Sequence, residues 1–375
     1  MVYFIQLITM INIAHPEIGD EEISAVNAVL ASGTLAQGPR VAKLEEDFAQ
    51  YCGTKYAVAV SSGTAAIHSA LYAAGVRAGD EVITSPFSFI ATINPIIMLG
   101  ARPVLVDINP DDFNINSDLI RAAITSKTKA VMPVHLYGQP ANMDEINSIA
   151  EEHNLKVIED ACQAIGADYK DKQAGNLGDL GCFSLYATKN IMCGEGGVVT
   201  TNNEAHVAAI KQFRQHGMSA QYEYVELGFN YRLTDLQAAI AIEQLKKADR
   251  FNSARRDNAK LLSKKLSAIK GLTIPVVRND RTHVFHQYTV RIDDSFGISR
   301  DVLVESLRSK GVGAGVYYPK PLHSYKHIQA LGYEIGDFPI AEKVASQVVS
   351  LPIHPKVTSE ELVQIADTIM SLSND

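Results

Sequence analysis

Hydrophobic and polar positions follow two alternating periods along the first two-thirds of the chain. Near the start the period is helical: Ile23, Val26 and Leu30 fall on one face after Asp20, a residue suited to capping. After Gly38-Pro39, the spacing of Val41, Leu44, Phe48 and Tyr51 predicts a second amphipathic helix. Short apolar runs then take turns with helical stretches. Tyr56–Val60 leads into a helix from about Thr64, Glu81–Thr84 precedes one near 89–99, and 103–107 precedes one from Asn116. The run 130–134 comes before a helix around 143–153, and the run 155–159 ends in Asp160. Strands spaced by helices predict an α/β fold, a mostly parallel sheet with helices on both faces.

The texture changes near residue 250. One helical run is expected over 233–250 and continues through 252–266. Strands at 284–291 and Val348–Leu351 then mix with helices at 301–310 and 360–372. The expected organisation is a large domain over 1–249 and a smaller C-terminal α/β domain over 250–375, joined by that long helix. The N-terminal segment 1–35 is a candidate to pack on the small domain.

Composition narrows the class. A length of 375 residues, 46% of them hydrophobic and 20% charged, gives two or three domains ample core and excludes disorder. Net charge is −8, from 34 basic and 42 acidic side chains, which provides no field for a nucleic-acid backbone. No membrane anchor is expected. The apolar start, 1–13, lacks a basic n-region and cleavage site and is too short to span. The run 87–106 is broken by Asn94, Pro95, Gly100, Arg102 and Pro103. Cys52, Cys162, Cys182 and Cys193 form no C-x-x-C pair, so a reducing, cytoplasmic location is expected. There is no nucleotide-triphosphate loop and no H-E-x-x-H, and no metal site is expected.

In open parallel sheets, ligands bind beyond the carboxyl ends of the strands, and four segments fall there. Ser61-Ser62-Gly63-Thr64 opens a helix: it is either an ordinary cap or a phosphate cradle of bare amides, hydroxyls and a helix dipole. Asp160 ends an apolar strand, as a helix cap or as the partner of something cationic. Phe183 to Asn190 delivers Lys189 ahead of Gly194-Glu195-Gly196-Gly197. That lysine is either a solvated loop charge or a desolvated amine able to condense with a carbonyl cofactor. Gly228 to Asp235 precedes the long helix, with Thr234 or Asp235 as cap. One cofactor would use such parts together. Pyridoxal phosphate needs a lysine, an acid for its pyridine nitrogen, a phosphate cradle and an aromatic plate.

These residues also sit in familiar motifs: Ser62-Gly63-Thr64-Ala65-Ala66, Gly79-Asp80-Glu81-Val82-Ile83, Glu159-Asp160-Ala161-Cys162-Gln163-Ala164, Phe183 to Asn190, Asn230 to Ala239, and Tyr318-Pro319-Lys320-Pro321-Leu322-His323. From about Ile13 to the C-terminus, in order, the chain resembles the DegT/DnrJ/StrS family of pyridoxal-phosphate-dependent sugar aminotransferases. The resemblance implies the fold-type I, aspartate-aminotransferase-like architecture and a homodimer with shared active sites. It implies that Lys189 bonds the cofactor's aldehyde, Asp160 partners the ring nitrogen and Gln163 meets the ring hydroxyl. Ser62, Gly63, Thr64 and Ser184 would hold the phosphate, Phe89 would stack on the ring, and Asn230 would reach the neighbouring subunit's phosphate. Tyr186, Arg232, Tyr318 and His323 would lie on the substrate side. Tyr186 stands where many relatives carry histidine, and Cys162 replaces a small residue. The implied reaction moves an amino group from L-glutamate to a nucleotide-linked 3- or 4-keto sugar. Two alternatives accompany it: a sugar dehydratase of the same family, in which histidine replaces the lysine, and a non-catalytic regulator that binds the cofactor.

Overall fold

The computed structural model describes residues 10–373, so most of the apolar N-terminal run lies outside the described residues. α1 (Asp20–Ser32) and α2 (Pro39–Cys52) precede the first strand. α2 follows the sequence expectation: Val41, Leu44 and Phe48 are buried and Tyr51 packs at the edge of the same core. α1 departs from it. Ile23 and Leu30 are each 53% exposed, whereas Glu22 and Val29 are buried. The cap is Gly19, not Asp20, and the Glu22 carboxylate accepts from Gly19 N at 2.8 Å. Glu22 also receives Lys247 Nζ at 2.7 and 2.9 Å and Gln244 Nε2 at 2.7 Å. A polar clamp therefore decides which side of α1 faces inward, and its apolar stripe points out.

Strands β1 (Tyr56–Val60), β2 (Glu81–Thr84), β3 (Arg102–Leu105), β4 (Thr128–Val131) and β5 (Lys156–Asp160) alternate with helices. Those helices are α3 (Gly63–Ala73), α4 (Asn94–Met98), α5 (Ile120–Ala123) and α6 (Met143–Glu152). The helix expected near 89–99 is split into a 3-10 turn, Ile90–Thr92, and the short α4, because Pro95 has no N–H to continue a longer helix. After a small hairpin of β6 (Asp168–Tyr169) and β7 (Lys172–Gln173) come β8 (Leu180–Ser184) and β9 (Gly197–Thr201). The seven-stranded sheet has the order β1-β9-β8-β5-β4-β2-β3. Only β9 runs antiparallel to its neighbours, so the sheet is mostly parallel, with strands apolar on both faces.

α7 (Glu204–Phe213) and a second hairpin, β10 (Met218–Ala220) with β11 (Glu223–Tyr224), lead to α8 (Asp235–Leu245). The single long helix expected here is two: α8 stops at Lys246 and α9 (Ala248–Leu266) starts after Lys247. That break turns Lys247 toward Glu22. α9 carries Ala248 and Phe251 into the sheet core, and Ala259, Leu262 and Leu266 into a separate C-terminal core. The second core is built on β12 (Leu272–Thr273), β13 (Tyr288–Ile292) and β14 (Val348–Leu351), covered by α10 (Arg300–Ser309) and α13 (Ser359–Leu372). Ile11 joins it, accepting from Gly313 N and donating to Gly311 O, both at 2.8 Å. α11 (Lys326–Gln329) and α12 (Pro339–Gln347) lie against a third cluster shared with Phe87, Phe113 and Tyr137. Among the described residues, no helix is long and apolar enough to cross a membrane.

Candidate active site

The carboxyl ends of β1, β2, β5 and β8 open onto one cavity of about 710 Å³. Its lining includes Ser62, Gly63, Thr64, Phe89, Asp160, Gln163, Ser184, Tyr186, Lys189 and Tyr318, drawn from segments up to 256 residues apart. The strand order explains the convergence. β8 is bonded to β5, with Cys182 opposite Asp160, so the loops after these strands deliver Lys189 and Asp160 to one floor.

At the β1 end, Ser62 caps α3 by accepting Ala65 N at 3.1 Å. The first helical bond, Ala66 N to Ser62 O, leaves the Gly63 and Thr64 amides unclaimed by the helix. Gly63 is tightly enclosed. A Cβ there would sit 2.8 Å from Ser184 Cβ and 3.2 Å from Cys162 Sγ. This is a cradle in which only backbone can line the wall, suited to a phosphate at a helix N-terminus.

Asp160 is buried, with Oδ2 accepting from Thr92 Oγ1 at 2.7 Å and Oδ1 from Cys162 N at 3.3 Å. Burial lowers the Lys189 amine below the ordinary lysine value, while the nearby Cys162 and Asp160 oppose that shift. A lysine held closer to its free base is the form that condenses with an aldehyde. Phe89 is 56% exposed at the mouth, with its ring centroid 6.1 Å from that of Tyr318. Gln163 is pinned at both ends, accepting from Tyr137 N at 2.8 Å and donating to Tyr318 Oη at 3.0 Å. Burial and then the Asp160 charge push the Cys162 thiol well above its ordinary value.

Three expected residues stand elsewhere. His323 is buried outside the cavity lining, its Nε2 2.8 Å from Glu342 Oε1 and its ring against Phe338, so packing and a hydrogen bond account for it. Arg232 is half-buried and makes no ion pair among the described residues. Asn230 is exposed between Phe229 and Tyr231, whose rings stack at 5.0 Å against α3 and α7. With both flanking rings turned in, its side chain faces out of this subunit.

The cavity also contains residues with no local signal in the sequence: Ser88, Thr92, His286, Gln287 and Tyr317. His286 Nδ1 lies 3.3 Å from Asn190 Oδ1, which can only accept, since Asn190 Nδ2 donates to Asn252 Oδ1 and Val284 O. The ring proton therefore sits on Nδ1. Burial and then the charges of Lys189 and Arg255 keep the imidazole neutral.

These parts resemble a known set, and comparison with known proteins agrees. The DegT/DnrJ/EryC1/StrS aminotransferase family matches residues 16–370. The chain belongs to this family. Its relative SpsC of Bacillus subtilis, a spore coat polysaccharide biosynthesis protein, is 38% identical over 372 residues, covering 95% of each chain. The solved structure of S. venezuelae DesV has a TM-score of 0.91 at 34% identity, again covering 95% of each chain. Spr1654 of Streptococcus pneumoniae, assigned as a sugar aminotransferase and solved in its PLP form, has a TM-score of 0.92 at 27% identity, covering 97% of this chain and 99% of its own. The protein is thus a pyridoxal-phosphate-dependent aminotransferase of fold-type I, and the enclosed cradle, the buried carboxylate and the desolvated lysine fit that cofactor.

Proposed function

We propose that this aminotransferase moves an amino group from L-glutamate to a nucleotide-linked 3- or 4-keto sugar, as a homodimer whose active sites are shared. The observation that carries the chemistry is the convergence of Lys189, Asp160, Phe89 and the Ser62–Thr64 cradle on one cavity. The names of SpsC and Spr1654 support the sugar class. A volume of about 710 Å³ also leaves room beside a cofactor for a second sizeable molecule.

Bound pyridoxal phosphate supplies a carbonyl for amine exchange and a ring that accepts an electron pair. Lys189 would provide the amine that holds the cofactor and, when free, the base that takes the proton from the donor's α-carbon. Asp160 holds a proton on the ring nitrogen. Ser62, Gly63, Thr64 and Ser184 hold the phosphate, Gln163 meets the ring hydroxyl and Phe89 covers the ring face. Tyr186 and Tyr318 line the substrate side. Asn230, facing outward, completes the phosphate site of the partner subunit. The four free cysteines support a reducing, cytoplasmic setting.

The purified protein is expected to show a visible absorption band that bleaches on adding L-glutamate. A band indifferent to every amino donor would favour the cofactor-binding regulator instead. Lys189→Ala removes the covalent cofactor band and all turnover; retained turnover would sink the mechanism. Mixing Lys189→Ala with Asn230→Ala chains tests the shared site, and mixed dimers should recover activity in one of their two sites. Incubating the aminated form with keto sugars, with products read by mass and NMR, identifies the acceptor.

A further inference from the structure

Asp160 is a buried carboxylate with no cationic side chain bonded to it among the described residues. Such a group needs donors or it becomes very costly. The chain supplies two, and one is the hydroxyl of Thr92, 68 positions away in sequence, at 2.7 Å from Oδ2. Thr92 has a single hydroxyl proton, and a carboxylate can only accept, so that proton is committed to Asp160. The Ser88 hydroxyl lies 2.8 Å from the Thr92 hydroxyl and must therefore donate to it. The chain of protons has one direction: Ser88 to Thr92 to Asp160. All three residues are buried and all three line the cavity.

The turn that carries this relay also carries Phe89. Ser88 and Thr92 bracket the ring residue, and Thr92 N donates to Phe89 O at 3.0 Å across the 3-10 turn. The segment thus couples the aromatic plate at the cavity mouth to the carboxylate on its floor.

We propose that Ser88 and Thr92 are positioning residues that act on the cofactor's ring nitrogen through Asp160, holding its carboxylate turned so that its free lone pairs face the cavity. A second hydroxyl behind the first strengthens the donation from Thr92. With Oδ2 tied to Thr92 and Oδ1 to the Cys162 amide, the carboxylate cannot rotate away from the cavity. The inference rests on the assignment of Asp160 to the ring nitrogen made above.

The test compares two ligands on the full-length protein stripped of cofactor: pyridoxal phosphate and its 1-deaza analogue, which has carbon in place of the ring nitrogen. Dissociation constants are measured by equilibrium dialysis for the wild type, Thr92→Val, Thr92→Ser and Ser88→Ala. The wild type should prefer pyridoxal phosphate by about tenfold or more, the worth of a charge-assisted hydrogen bond. Thr92→Val should lower that preference by about three- to tenfold while leaving the analogue's affinity unchanged. Thr92→Ser should restore it, and Ser88→Ala should give a smaller loss in the same direction. Equal weakening of both ligands by Thr92→Val would show a merely structural role and overturn the proposal, as would an unchanged preference. A wild type that binds both ligands alike would instead overturn the assignment of Asp160 itself.

Discussion

Gly63 shows how a single residue sets what the site can hold. Its position against Ser184 and Cys162 leaves no room for a methyl group. Gly63→Ala should push the β1–α3 turn and β8 apart, lowering cofactor affinity by about tenfold, for the ~1–3 kcal/mol typical of overpacking. Equilibrium dialysis checks this, and an unchanged affinity would mean the cradle lies elsewhere. Glu159, next to Asp160, has the opposite kind of importance. Its fully buried carboxylate accepts from Gly175 N and Leu177 N at 2.7 Å, Gly178 N at 2.8 Å and His135 Nε2 at 3.0 Å. Glu159→Gln would turn an amide NH2 toward donors. A loss of about 2–4 kcal/mol is expected in urea unfolding.

At the scale of elements, α1 and the α8–α9 junction depend on each other. A break at Lys246-Lys247 divides what the apolar spacing predicts as one continuous helix, and Lys247 and Gln244 close on Glu22. Glu22→Ala should loosen α1 by about 2–3 kcal/mol, by removing one partner of a largely buried pair. Hydrogen exchange is the suitable measurement. The α1 amides should exchange faster while those of β5 and β8 keep their protection; equal acceleration in both would mean the helix is part of the global unfolding unit. The strands at the cavity were readable because each pairs a short apolar run with a chemically distinctive end. The orientation of α1 was not, because its apolar stripe carries no information about a clamp 222 and 225 residues away.

Across the whole molecule, buried histidines link stability to acid. Burial lowers His68 to about 4, His283 to about 3 and, with the Arg255 charge adding to it, His354 to about 4. An unfolded chain binds protons on these rings near their ordinary value of about 6.5. Between those values the unfolded state holds more protons, so stability is complete above about pH 6.5 and falls as pH drops toward 4. The loss should approach about 1.4 kcal/mol per pH unit for each such ring. Urea midpoints at pH 7, 6 and 5 should fall in that order, and a flat profile would mean the rings are protonated in the fold.

The sequence by itself determined the order of strands and helices around the cavity and the chemical parts at their ends: Lys189, Asp160 and the Ser62–Thr64 turn, to which the family resemblance added Phe89. These are local properties, fixed by periodicity, capping and the residue that follows each strand. The tertiary structure decided which distant groups meet. It tied Thr92 to Asp160, brought His286 to the cavity from beyond α9, turned Asn230 outward and enclosed His323 beside Glu342. Those outcomes depend on sheet order and on which faces pack, and a polar side chain gives the same local pattern whether it meets a ligand, a neighbour or water.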